Sequence, residues 1–137
     1  MAEEKKVEIS NQTKGKLPRL PFVPLKNAIL GKRYILSIVF ATPKISQKLN
    51  NRYRGKNHPT NILSFNITKN EGEIILEPKK IRTEYKDFGL TYEEFLKYLL
   101  IHGMLHLKGM DHSSTMDKAE KRFLQKFGIK MPNNLSS

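Results

Sequence analysis

Between Thr91 and Lys108 the sequence TYEEFLKYLLIHGMLHLK has the signals of a helix, and of one that has to be buried. Thr91 and Glu94 form a capping box, Leu90 and Phe95 occupy the two positions of a hydrophobic staple, and Glu93 precedes Lys97 by four residues. In the last three turns Leu99, Leu100, Ile101, Met104, Leu105 and Leu107 leave almost no polar face, so other elements must wrap this helix on nearly every side. Polar groups on it are therefore delivered into the interior of the fold.

The polar groups on it are histidines. Three of the four in the chain, His102, His106 and His112, fall in the stretch HGMLHLKGMDH. On a helix, positions 102 and 106 lie on one side, about 6 Å apart along the axis. Gly109 can take the left-handed conformation that ends helices, after which the chain is free to bring His112 back to the first two. Three neutral imidazoles with an open fourth position make a catalytic zinc site, whereas structural sites close with four ligands, mostly thiolates. The chain has no cysteine. A purely structural metal stays open as an alternative.

The spacing H-x3-H-x5-H, with a glycine three residues after the second histidine, equals that of metzincin peptidases. In those enzymes a glutamate follows the first histidine as general base, and here Gly103 stands in its place. The metal is retained and the peptidase disfavoured.

With 137 residues the chain is expected to form one domain over 1–137, with frayed tails at about 1–6 and 130–137. No secretory leader and no apolar run long enough to span a bilayer is visible, so a cytoplasmic protein with no membrane partner is expected. Net charge is +12, and the stretch from Ile9 to Asn70 holds 12 of the 25 Lys and Arg residues and none of the 13 Asp and Glu. A stretch of that length without acids favours a polyanion, nucleic acid before anionic membrane. The alternative is a basic surface kept for solubility.

In chain order the sequence predicts a short strand at Val7 to Ser10 and a helix over Pro21 to Leu30 stopped by Gly31. YILSIVFA, Tyr34 to Ala41, predicts a central strand buried on both faces. Thr42 and Pro43 start a helix with Ile45, Leu49 and Tyr53 on one stripe, and Gly55 ends it. Arg52, Arg54, Lys56 and His58 crowd its exit, where they can hold a phosphate or merely complement the helix dipole. Strands at Asn61 to Ile67 and Gly72 to Glu77 suggest a hairpin, and a short helix should cover Ile81 to Phe88. Beyond the histidines, Ser113 or Ser114 can cap a last helix with Met116, Ala119, Phe123, Leu124 and Phe127 on its apolar side.

Two stretches, NRYRGKNHPTNILSF from Asn51 to Phe65 and HGMLHLKGMDH from His102 to His112, closely resemble the paired signatures of the YbeY family of bacterial endoribonucleases. With Gly72 to Ile74, GEI for the usual Gly-Asp-Ile, the resemblance covers roughly residues 50 to 127. It implies an α/β fold of α+β type: a mixed, roughly four-stranded sheet flanked by helices, with a central buried metal-binding helix. It also implies one zinc ion on His102, His106 and His112, an active-site arginine at Arg54, and a cleft for single-stranded RNA. By the same resemblance the substrate is ribosomal RNA, in 3′ end maturation of the small-subunit rRNA and ribosome quality control. Small-subunit components and an assembly GTPase are the implied partners. Glu73 for aspartate and Asn66 for a common proline depart from the pattern and bear on local strand geometry.

The residues alone point to metal-assisted hydrolysis of a diester brought by the basic half of the chain. Asp111 can act as a base or orient an imidazole, and His58 is a weaker candidate for proton transfer. The rival of another class is a non-catalytic RNA-binding assembly factor whose zinc is structural.

Overall fold

The computed structural model describes residues 6–55, 60–110 and 113–133. Four strands, β1 (Val7–Asn11), β2 (Ile35–Phe40), β3 (Ile62–Thr68) and β4 (Glu71–Leu76), form one sheet in the order β1-β2-β4-β3. β1 and β4 flank β2 in parallel, with Ile38 in register with Ile9 and Ile74. β3 closes the other edge as the antiparallel partner of β4, Leu63 opposite Ile75. The helices are α1 (Phe22–Ile29), α2 (Pro43–Arg54), α3 (Pro78–Glu84), α4 (Tyr92–Leu107) and α5 (Ser114–Lys126), with a 3-10 turn at Tyr85–Phe88. The expected mixed four-stranded α/β domain is what forms.

α4 is the axis of the core. Its capping box closes in both directions: the Glu94 amide donates to Thr91 Oγ1 at 3.1 Å, and the Thr91 amide donates to Glu94 Oε1 at 2.9 Å. Ten of its residues are buried, among them Leu96, Leu100, Ile101, Met104 and Leu105. They pack with Leu25 and Ile29 of α1, Leu36, Ile38 and Phe40 of β2, and Ile74 and Leu76 of β4. α2 covers the opposite face of the sheet, where Ile45 and Leu49 sit on Ala41, Leu63 and Ile75.

β2 departs from expectation. It is central, but its residues alternate, with Leu36, Ile38 and Phe40 buried while Ser37 and Val39 are half-buried and Ile35 is 43% exposed. One face lies under α1 and α4. The other has only α2, whose short apolar stripe reaches Val39 and Ala41 and leaves the Ile35 end open. The helix expected over Ile81 to Phe88 starts earlier, at Pro78, because the Glu77 carboxylate accepts from the amides of Lys79 and Lys80 and caps it. Tyr53 also leaves the α2 stripe: it is 52% exposed and stacks on Phe65 of β3 with ring centroids 4.6 Å apart.

The two positions that depart from the family pattern act on the strands. The Tyr34 hydroxyl donates to Asn66 Oδ1 at 2.9 Å, beside a register shift between Asn66 and Thr68. Ser37 donates to Glu73 across the β2-β4 pair at 3.2 Å. Neither Asn66 nor Glu73 lines the cleft that holds the histidines.

Candidate active site

α4 packs against the edge strand β3, and one of the residues it sets against the strand side chains is a glycine. A Cβ on Gly103 would stand 3.0 Å from Ile62 Cδ1 and 3.3 Å from Ile74 Cδ1. Gly103 therefore lets the helix sit down on the sheet. The position at which a metzincin has its general base is crowded here by the Ile62 and Ile74 side chains, at the floor of the cleft that holds the histidines. Completing the peptidase motif with Gly103→Glu is expected to destabilise the protein by about 1–3 kcal/mol, because a side chain there has to push the Ile62 and Ile74 side chains aside. Urea unfolding checks this, and a variant of unchanged stability would mean that α4 can lift off β3.

On either side of that glycine, one turn apart, the imidazoles of His102 and His106 meet at 81°, with ring centroids 4.6 Å apart. Each ring is held by its Nδ1. His102 Nδ1 donates to Glu120 Oε2 of α5 at 2.6 Å, and His106 Nδ1 donates to the Met110 carbonyl at 2.9 Å. A carboxylate and a carbonyl accept only, so they fix the proton on Nδ1 in both rings and leave Nε2 as a lone-pair donor. The two Nε2 atoms then face each other at 3.1 Å. Opposed lone pairs at that distance call for a proton or a metal ion.

The donor set fits zinc. Two nitrogens each about 2.0–2.1 Å from one ion at a near-tetrahedral angle stand roughly 3.3 Å apart, close to the separation found. A carboxylate behind a ligating imidazole is the usual second partner of such sites. Among the described residues no group of three ligand-type side chains gathers, because Glu120 is turned to Nδ1 and not to the Nε2 side. The expected third ligand His112, with Asp111, lies outside the described residues, as do Lys56 and His58.

Glu120 had no role in the sequence reading. It is 7% exposed, and its carboxylate is shared between His102 and the buried Tyr98. Burial first, then the adjoining Glu120 charge and hydrogen bond, raise the Tyr98 phenol well above its ordinary value of 10.0, so Tyr98 remains a neutral donor. The signal was present: Glu120 lies four residues from both Met116 and Leu124, on the apolar stripe of α5. A charge on such a stripe needs a partner inside.

Arg54 completes the cleft. It is the last residue of α2, ended by Gly55 in the left-handed conformation at φ 67° with its amide on Asn51 O. From there Arg54 joins Asn61, Ser64, His102 and His106 around a cleft of about 210 Å³. α2 and α4 lie on opposite faces of the sheet, so the cleft opens at its β3 edge. Arg54 and the pair His102 and His106, which lies 48 residues and more from it in the sequence, meet in it.

Comparison with known proteins points to one family. The family model described as Endoribonuclease YbeY matches residues 2–130. An Endoribonuclease YbeY of Thermodesulfovibrio yellowstonii is 35% identical over 96% of this chain and 83% of its own length. One from Bdellovibrio bacteriovorus is 42% identical over 69% of this chain and 61% of its own length. The solution structure of TM1509 from Thermotoga maritima superposes with a TM-score of 0.58 at 25% identity, covering 88% of this chain and 87% of that one.

Proposed function

The chain belongs to the YbeY family of endoribonucleases, and from that premise we propose that it cleaves single-stranded RNA at the cleft shared by Arg54, His102 and His106. The observation that carries this reading is the convergence of an exposed arginine with two imidazoles whose Nε2 atoms face each other. One divalent ion, zinc by its match to imidazole ligands, would be held by His102 and His106 with His112 as the third ligand. When bound, such an ion supplies Lewis acidity toward a phosphoryl oxygen or an attacking water.

The chain's own residues do the rest. Glu120 and the Met110 carbonyl hold the two rings in one tautomer, so no ligand has to rotate or lose a proton at the moment of use. Arg54 presents forked donors to the scissile phosphate and stabilises the charge that builds on it. The exposed basic residues between Ile9 and Asn70, among them Arg52 with its guanidinium 5.7 Å from the Tyr53 ring centre, draw the strand in. No helix among the described residues is long and apolar enough to cross a membrane.

On the family resemblance, the substrate we propose is ribosomal RNA, in 3′ end maturation of the small-subunit rRNA and ribosome quality control in the cytoplasm. Small-subunit components and an assembly GTPase are the partners that go with it. The test is turnover: several cleavages per protein molecule on naked single-stranded RNA, lost with chelator and restored by zinc. Binding without turnover would instead favour the assembly factor with a structural metal. Affinity should fall steeply with salt, and Arg52→Gln is expected to flatten the slope of log affinity against log salt by about 0.7 if it holds one phosphate. An unchanged slope would place the RNA path away from the α2 exit.

A further inference from the structure

We infer that a second cavity, at the carboxyl ends of β1, β2 and β4, takes one unpaired nucleotide of the same RNA strand that the histidine cleft cuts. The inference rests on the RNA reading above and extends the binding site beyond the reacting phosphate. Three parallel strands end together here, and the segments that follow them, at Lys14 to Pro18, Thr42 to Pro43 and Glu77 to Lys79, enclose about 160 Å³. Carboxyl ends of parallel strands are where α/β folds gather ligands, because loops diverge there.

The chemistry of the cavity matches a nucleotide. Leu17, Pro18, Pro43 and Pro78 give apolar walls, and a dry cavity of about 150 Å³ is enough to admit a single aromatic ring. The Arg82 guanidinium lies 4.7 Å from the centre of the half-buried Tyr92 ring, both lining the cavity, which is a stacking surface of the kind that holds unpaired bases. Lys14, Lys16 and Lys79, exposed around the same cavity, provide charge for the phosphate. Glu77 is 2% exposed and held by the amides of Lys79 at 2.6 Å and Lys80 at 3.1 Å, so its carboxylate is a fixed acceptor for an exocyclic amino group.

The cavity and the cleft are linked. The Glu77 amide donates to the Asn61 carbonyl at 2.9 Å, and Asn61 lines the histidine cleft while Glu77 lines the cavity. α2 spans the two, with Pro43 at the cavity and Arg54 at the cleft; its 12 residues measure about 18 Å. The two subsites are thus a few nucleotides apart on one strand.

The experiment measures affinity of single-stranded oligonucleotides of increasing length, blocked at the scissile linkage by methylene groups in place of both bridging oxygens so that neither water nor a 2′-hydroxyl can cleave it, for the full chain and for its Lys16→Ala, Arg82→Ala double variant. Affinity of the unaltered chain should step up about tenfold once the oligonucleotide is long enough to reach the cavity, and the variant should lack the step. One abasic position away from the scissile phosphate should abolish the step in the unaltered chain and change nothing in the variant. No step, or an equal loss in the variant at every length, overturns the subsite and leaves only a general basic field. Saturable binding of free AMP that shifts the Gly15 and Lys79 amide resonances, without a length step, also overturns it by assigning the cavity to a free nucleotide. Failure to cleave unblocked short oligonucleotides tells against the endoribonuclease reading separately, because the length step is read from binding alone.

Discussion

Alanine in place of His106 is expected to abolish stoichiometric zinc binding and, with it, RNA cleavage. The ring is one of two whose Nε2 atoms face each other at 3.1 Å, and without it the remaining imidazole has no partner on α4 for a shared ion. A metal bound only by the folded state adds about 2.7 kcal/mol at a concentration a hundredfold above its Kd. The unaltered protein should therefore melt higher with zinc than with chelator, and His106→Ala should show almost no difference. Glu120→Gln is expected to lie between the two. It keeps the shape but weakens the charge behind His102 Nδ1, a change that lowers metal affinity roughly 10–100-fold in comparable sites. Metal analysis after gel filtration separates these cases, and full occupancy in His106→Ala would remove it from the ligand set.

The parts of this fold that could be read from sequence are those written in local chemistry. Thr91 with Glu94, Thr42 with Pro43, and Ser113 with the amide of Met116 are caps whose partners lie within three residues, and each forms as expected. The pairing of His102 with His106 is equally local, set by one helical turn. What stayed hidden depends on what packs across. Glu120 is 18 residues from His102 and became legible as its support only once α5 lay against α4. Lys26 is a similar case: it lies on the apolar side of α1 between Phe22 and Ile29, is fully buried, and donates to the carbonyls of Gly31 and Lys32. Burial, with Lys6 nearby, lowers its pKa from the ordinary 10.5. A charge on an apolar stripe marks both residues, although the stripe alone does not say which partner it finds. The cavity at the strand ends was invisible for a further reason, since residues near 14, 42 and 79 meet only through the order β1-β2-β4.

Arg54→Ala is expected to lower the rate of RNA cleavage roughly 10²-fold, about 3 kcal/mol in the transition state, while weakening RNA binding far less. Arg54 sits at the very end of α2, exposed, in the cleft with His102 and His106, and the fold asks little of it. The helix is ended by Gly55 and anchored to the sheet through Ile45 and Leu49, so truncating Arg54 should leave stability nearly unchanged. Its proposed contribution is donors aimed where negative charge develops, and such donors act on kcat more than on KM. Arg54→Lys should restore only part of the rate, because an ammonium keeps the charge and loses the forked pair of donors. Near-complete rescue by lysine would mean that a long-range field suffices. Zinc content should be the same in both variants and in the unaltered chain, since Arg54 belongs to α2 and the imidazoles of His102 and His106 are held from α5 and from Met110. Loss of zinc together with activity would show that Arg54 supports the ligands and would remove it from the chemistry.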